Sequence, residues 1–265
     1  MLRKTTHAGS FYPRFGEQIS AQIEKWTAGQ TQAPPGDDCL GLIVPHAGYV
    51  YSGECAARGF HHISGQQFDT LVILHPSHHG IHFDWSVSSF EQYDTPLGKL
   101  DLDVRLFELL TKSGTGADKE LRLHEAEHSL EVQLPFIKHF FPEALICPIM
   151  IGRPYPEVAS QLAEKLREAI KASGKRVGII VSTDLSHYYN ADKAEKMDAL
   201  ITKYLMSLDA DGLWQSVIGK RCEACGIGGL LTLLLYAGAY DNARARIIHY
   251  THSGKVTGDN QQVVG

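Results

Sequence analysis

No apolar run in this 265-residue chain reaches the ~18–20 residues needed to cross a bilayer. The longest, 227–239, is shorter and rich in glycine. The first residues, MLRKTTH, hold no apolar core, so no signal peptide is expected there. There is no internal repeat and no low-complexity tract. The nearest thing to a linker is 29–38, with Pro34, Pro35 and Gly36, and it is too short to separate domains. Charge of one sign is also scarce. A net charge of −5 exerts no general pull on nucleic acid or on an anionic membrane. The five cysteines are odd in number and lack the spacing of a disulfide scaffold, which points to a reducing, cytoplasmic compartment. At 43% hydrophobic and 21% charged residues, a disordered or fibrous chain is excluded. The length suits one α/β domain over 1–265, able to bury a core without disulfides.

What is present alternates between strand and helix patterns. Continuous apolar runs at 40–44, 70–74, 144–151 and 176–181 predict core strands. Shorter strands are expected at 85–90, 243–250 and 261–264. Helices are expected at 52–63 with Ser52 as N-cap, 104–112, 129–141 around an awkward Pro135, 156–172, 193–208 and 225–240. Two-sided apolar strands separated by helices imply a mainly parallel central sheet flanked by helices.

The chain has 14 histidines, and three of the core strands run directly into one. The endings are Val44-Pro45-His46, Leu74-His75-Pro76-Ser77-His78-His79 and Val181-Ser182-Thr183-Asp184-Leu185-Ser186-His187. Ligands of open α/β sheets bind beyond the carboxyl ends of the strands. Neutral imidazole is both the commonest metal ligand and the usual general base near pH 7. His46, His78 and His187 are therefore expected in one pocket. If 184–187 forms a helical turn, Asp184 and His187 share a face and Asp184 orients that ring.

Cys222-Glu223-Ala224-Cys225 is a C-x-x-C without the second pair that a structural zinc site needs. It opens an apolar helix, where the macrodipole favours thiolate. Cys225 is thus a candidate metal ligand or reactive thiol, against the alternative of a buried structural cysteine. His124-Glu125-Ala126-Glu127-His128 matches the HExxH zinc-hydrolase pattern. Its position at a helix entry, with Ser129 as cap, instead favours a supporting role for Glu127, His128 and Glu131.

A series of motifs occurs in the order found in the Memo family, also called AmmeMemoRadiSam system protein B, which this chain resembles over nearly its whole length. They are His7-Ala8-Gly9-Ser10-Phe11-Tyr12-Pro13, Pro45 to Gly53, Pro76-Ser77-His78-His79, Thr95-Pro96-Leu97-Gly98, Glu127-His128-Ser129-Leu130-Glu131, Ser182 to His187 and Cys225-Gly226. The resemblance implies a fold like the LigB-type class III extradiol dioxygenases, which hold one non-haem Fe(II) on two histidines and a glutamate. Carried over, it implies His46, His78 and Cys225 as metal ligands and His187, with Asp184, as the acid/base group. The cofactor is then a divalent metal ion, iron first, with copper or zinc as alternatives. The implied substrate is a small molecule, phenolic in the related enzymes, and the implied partners are radical-SAM and AMMECR-type proteins. A thiolate in place of the carboxylate is softer and oxidisable, so the metal site carries over better than the dioxygenase activity. A catalytically degenerate metal- or peptide-binding module is the competing expectation.

Overall fold

A computed structural model describes residues 1–34, 36–112 and 121–265. Pro35, in the linker-like stretch, lies outside them. In chain order the elements are β1 (Leu2–Arg3), α1 (Gly16–Thr27), β2 (Gly41–Val44), a π-helical turn (Tyr49–Gly53), α2 (Glu54–Ile63), β3 (Thr70–Pro76), β4 (Trp85–Val87), β5 (Gln92–Tyr93), β6 (Leu100–Asp101) and α3 (Val104–Thr111). There follow α4 (Leu121–Ala126), α5 (His128–Glu131), α6 (Leu134–Phe140), β7 (Leu145–Ile151), α7 (Pro156–Ser173), β8 (Val177–Ser182) and β9 (His187–Tyr189). The chain closes with α8 (Ala191–Met206), α9 (Ala210–Ile218), α10 (Ile227–Ala237), α11 (Ser253–Thr257) and β10 (Val263–Val264).

The four predicted core strands and the short β4 form one five-stranded sheet in the order β2-β8-β3-β7-β4. All its pairings are parallel except the antiparallel edge strand β4. Side chains alternate across the pleat, so β3 feeds two cores. Val72 and Leu74 pack with Leu162 and Leu166 of α7 and Leu230 and Leu234 of α10. Leu71 and Ile73 pack with Ile19 and Ile23 of α1, Phe60 of α2 and Phe136 of α6. Both faces are thus covered, which is why the parallel strands read as unbroken apolar runs. Among the described residues no helix is long and apolar enough to cross a membrane.

Three local expectations are corrected. The helix expected at 52–63 starts instead from the π-helical turn, and Ser52 caps nothing: its hydroxyl donates to the Ala47 carbonyl at 3.0 Å. The helix at 129–141 is split into α5 and α6, with Pro135 in the first turn of α6, where its missing N–H leaves no bond unmade. Among the described residues, 243–250 pairs with no strand. Arg244 and Arg246 reach across to Asp37 instead, and Ile247 and Ile248 stay exposed.

Candidate metal centre

The strand order brings the predicted strand ends together. β8 lies between β2 and β3, with Val44 opposite Ser182 and Leu74 opposite Val181. His46, Asp184 and His78 therefore leave the sheet at the same carboxyl edge. The approach to α10 closes over them. A Cβ on Gly226 would stand 2.5 Å from Thr183 Cβ and 2.7 Å from the Ser182 carbonyl oxygen, so only glycine lets the preceding Cys225 reach the strand ends.

Donor atoms of His46, His78 and His128 lie within 4.8 Å of one another. Hydrogen bonds fix the first two rings. Ser182 Oγ donates to the Ser129 carbonyl at 2.7 Å and accepts from Gln133 Nε2 at 2.9 Å. With its single proton used, it can only accept from His46 Nδ1 at 3.0 Å. The neutral His46 ring is thereby held with Nε2 unprotonated. His78 Nδ1 donates to Glu127 Oε1 at 2.7 Å, and the His78 backbone N–H donates to Glu127 Oε2, also at 2.7 Å. His78 Nε2 is left free to bind. Orienting hydrogen bonds of this kind, made by the second ring nitrogen, accompany metal-binding imidazoles.

Electrostatics agree with neutral donors. Burial pushes the His46 imidazole down, with partial compensation from Asp184. Burial likewise pushes His128 down to about 4, only partly opposed by the Glu127 carboxylate 3.4 Å away. Burial alone would raise Glu127, but its bonds to His78 and the nearby imidazoles outweigh this and hold it below the usual carboxylate range.

Cys225 Sγ lies 3.1 Å from His46 Nε2 and accepts the Asp184 backbone N–H, also at 3.1 Å. The cysteine thus meets the same nitrogen that the hydrogen bonds leave free. The expectation of an activated thiolate is corrected. Cys225 sits two residues ahead of α10, and burial, with the Asp184 charge, pushes its thiol up to about 12. Asp184 also departs from expectation. The stretch after β8 makes no helical turn, and the Asp184 carboxylate serves His46 rather than His187, accepting the His46 and Ala47 backbone N–H groups at 2.8 and 3.3 Å. His187 begins β9, where its Nδ1 donates to the Leu185 carbonyl at 2.8 Å, leaving Nε2 unprotonated in the neutral ring. It lines, with Phe11, His128, Asp184 and Tyr188, a cavity of about 1700 Å3. Tyr188 holds a left-handed φ of 63°, rare for a bulky residue and concentrated at functional sites.

The HExxH segment does not form the single helical turn of a zincin. Glu127 is extended (φ −78°, ψ 121°), so His124 and His128 do not share a helical turn. His124 is fully buried, with Nε2 3.0 Å from Ser86 Oγ. His128, given only a supporting role from the sequence, is brought among the donors. The signal that marked it was its place in the Glu127-His128-Ser129-Leu130-Glu131 motif.

Comparison with known proteins agrees with this architecture. The crystal structure of an uncharacterized protein from Escherichia coli K12 superposes with a TM-score of 0.52 at 14% identity, covering 84% of this chain and 98% of that one, a likeness of fold alone. A MEMO1 family protein of Methanosarcina mazei is 35% identical over 100% of this chain and 97% of its own length. Another, from Desulfurococcus amylolyticus, is 34% identical over 97% of this chain and 94% of its own. With residues 3–265 matching the family described as Memo-like protein, the chain that builds this histidine cluster belongs to that family.

Proposed function

We propose that the protein is a non-haem metal-dependent oxidoreductase of the dioxygenase-like kind acting on a small phenolic substrate, with His46, His78 and Cys225 as metal ligands and His128 beside them. The observation that supports this reading is the pair of fixed tautomers: Ser182 and Glu127 leave the Nε2 atoms of His46 and His78 free beside His128 and a thiol. Neutral imidazoles with a sulfur suit iron, copper or zinc and disfavour magnesium or calcium. Iron held there would supply one-electron redox chemistry. The protein's own contribution is positional. Glu127 orients His78, the Asp184 carboxylate anchors the backbone at His46, and His187 Nε2 takes a proton from a substrate hydroxyl in the cavity.

The test is anaerobic purification with iron loading, elemental analysis, and oxygen uptake with a panel of catechols. His46→Ala should lose stoichiometric metal. His187→Ala should keep it and lose turnover by ~10²–10⁴-fold. A metal-loaded wild type that consumes no oxygen with any catechol rejects the redox reading. The cavity supports a second reading. Its volume of about 1700 Å3 exceeds the ~300–1,000 Å3 typical of small-molecule sites, as expected of a metal- or peptide-binding module.

A further inference from the structure

The break in the HExxH segment has a cause elsewhere in the chain. In an unbroken helix the carbonyls of residues 124, 125 and 127 would accept the amides of 128, 129 and 131. Instead they are taken by the buried side chain of Arg3. Its Nε donates to the His124 carbonyl at 2.8 Å, and its Nη2 to those of Glu125 and Glu127 at 3.0 Å each. Its Nη1 donates to Glu131 Oε2 at 2.9 Å and more weakly to the Lys4 carbonyl at 3.4 Å. The guanidinium is thus a cap on the C-terminal end of α4, where a cation also meets the negative end of the helix dipole. Both side chains of the Arg3–Glu131 pair are fully buried.

Glu131 carries the connection onward. Its carboxylate accepts the backbone N–H groups of Thr6 and His7, the Thr6 hydroxyl at 2.7 Å and the Tyr12 hydroxyl at 2.7 Å. The segment so held packs Phe11 on His128, with ring centroids 4.8 Å apart. With the helix stopped, Glu127 turns its carboxylate to His78 and to the Ser129 N–H at 3.1 Å, and His128 starts a new turn facing His46 and His78.

We propose that Arg3 and Glu131 are positioning residues of the metal centre, stopping α4 so that Glu127 and His128 can face His46 and His78. This rests on the metal-binding reading of the cluster. A lysine is a point charge without the fork that spans three carbonyls and a carboxylate, so charge alone does not suffice.

The experiment compares wild type with Arg3→Lys in the full chain, with Co(II) as the probe. The expected result is a ~10–100-fold weaker Co(II) affinity, the size of effect seen when groups that orient metal ligands are lost, with a changed visible spectrum. In the metal-free protein, the imidazole ¹⁵N resonances of His78 and His128 should move while those of His62 hold. Leu162→Ala, a core truncation in α7, should lose stability and keep its Co(II) affinity. A folded Arg3→Lys with wild-type affinity and unmoved imidazole resonances overturns the proposal, and so does an equal loss of affinity in Leu162→Ala. If Arg3→Lys does not fold, Tyr12→Phe removes one bond to Glu131 and should show the same changes, with a few-fold loss of affinity. Its silence in every readout then overturns the proposal. A wild type that binds no Co(II) rejects the metal reading, while the imidazole resonances still decide the positioning role.

Discussion

Metal binding by Cys225 should release a proton, and the amount is set by where the thiol is buried. Its value of about 12 means that it is protonated at neutral pH, donating toward His46 Nε2 at 3.1 Å. Coordination needs the thiolate, so the proton must leave. Relative to an ordinary value of 9.0, burial makes that displacement about 4 kcal/mol more costly. The metal–sulfur bond must offset it. His46 and His128 are already neutral at this pH, because burial has lowered both, and add nothing to the proton count. Affinity should therefore rise about tenfold, or about 1.4 kcal/mol, between pH 7.5 and 8.5. Calorimetric titration with Co(II) in buffers of different ionisation enthalpy measures the proton count directly. One proton per metal is expected for wild type and none for Cys225→Ala. Tight binding by wild type with no proton released would refute the sulfur ligand and assign the ion to His46, His78 and His128 alone.

Glu127→Gln keeps the shape of the site and removes the charge that orients His78, so Co(II) affinity should fall about 10–100-fold; calorimetry showing wild-type affinity would contradict the role assigned to that carboxylate. Burial pushes His75 down to about 3, so below pH 6.5 the unfolded chain binds a proton that the folded chain refuses, and stability should fall as pH is lowered. From pH 6.5 to 4 this amounts to roughly 3 kcal/mol, read by chemical denaturation, with a shallower slope in His75→Gln. An equally steep profile in that variant would assign the slope to other groups. His124→Ala loses the bond to Ser86 and the edge contact with the His75 ring but no member of the donor cluster, so its metal content after reconstitution should equal wild type, and loss of metal in the folded variant would return the HExxH histidine to the ligand set.

The apolar runs by themselves determined the parallel sheet and the edge at which His46, His78 and Asp184 emerge. Strands buried on both faces must be continuous in apolar residues, and that signal is local. Local signal also marked Cys225-Gly226, because a glycine beside a helix start permits close approach. What the local pattern could not contain were contacts made by residues far apart in the chain. Arg3 stops a helix 121 residues away, Glu127 reaches His78 across 49, and Cys225 meets His46 across 179. Those contacts turned an HExxH pattern into two short helices and moved His128 among the donors. They also gave Asp184 to the His46 backbone instead of to His187. The charge state of Cys225 was decided in the same way. A helix start favours thiolate, but the desolvation that packing imposes is larger and opposite in sign, and only the folded chain sets its size.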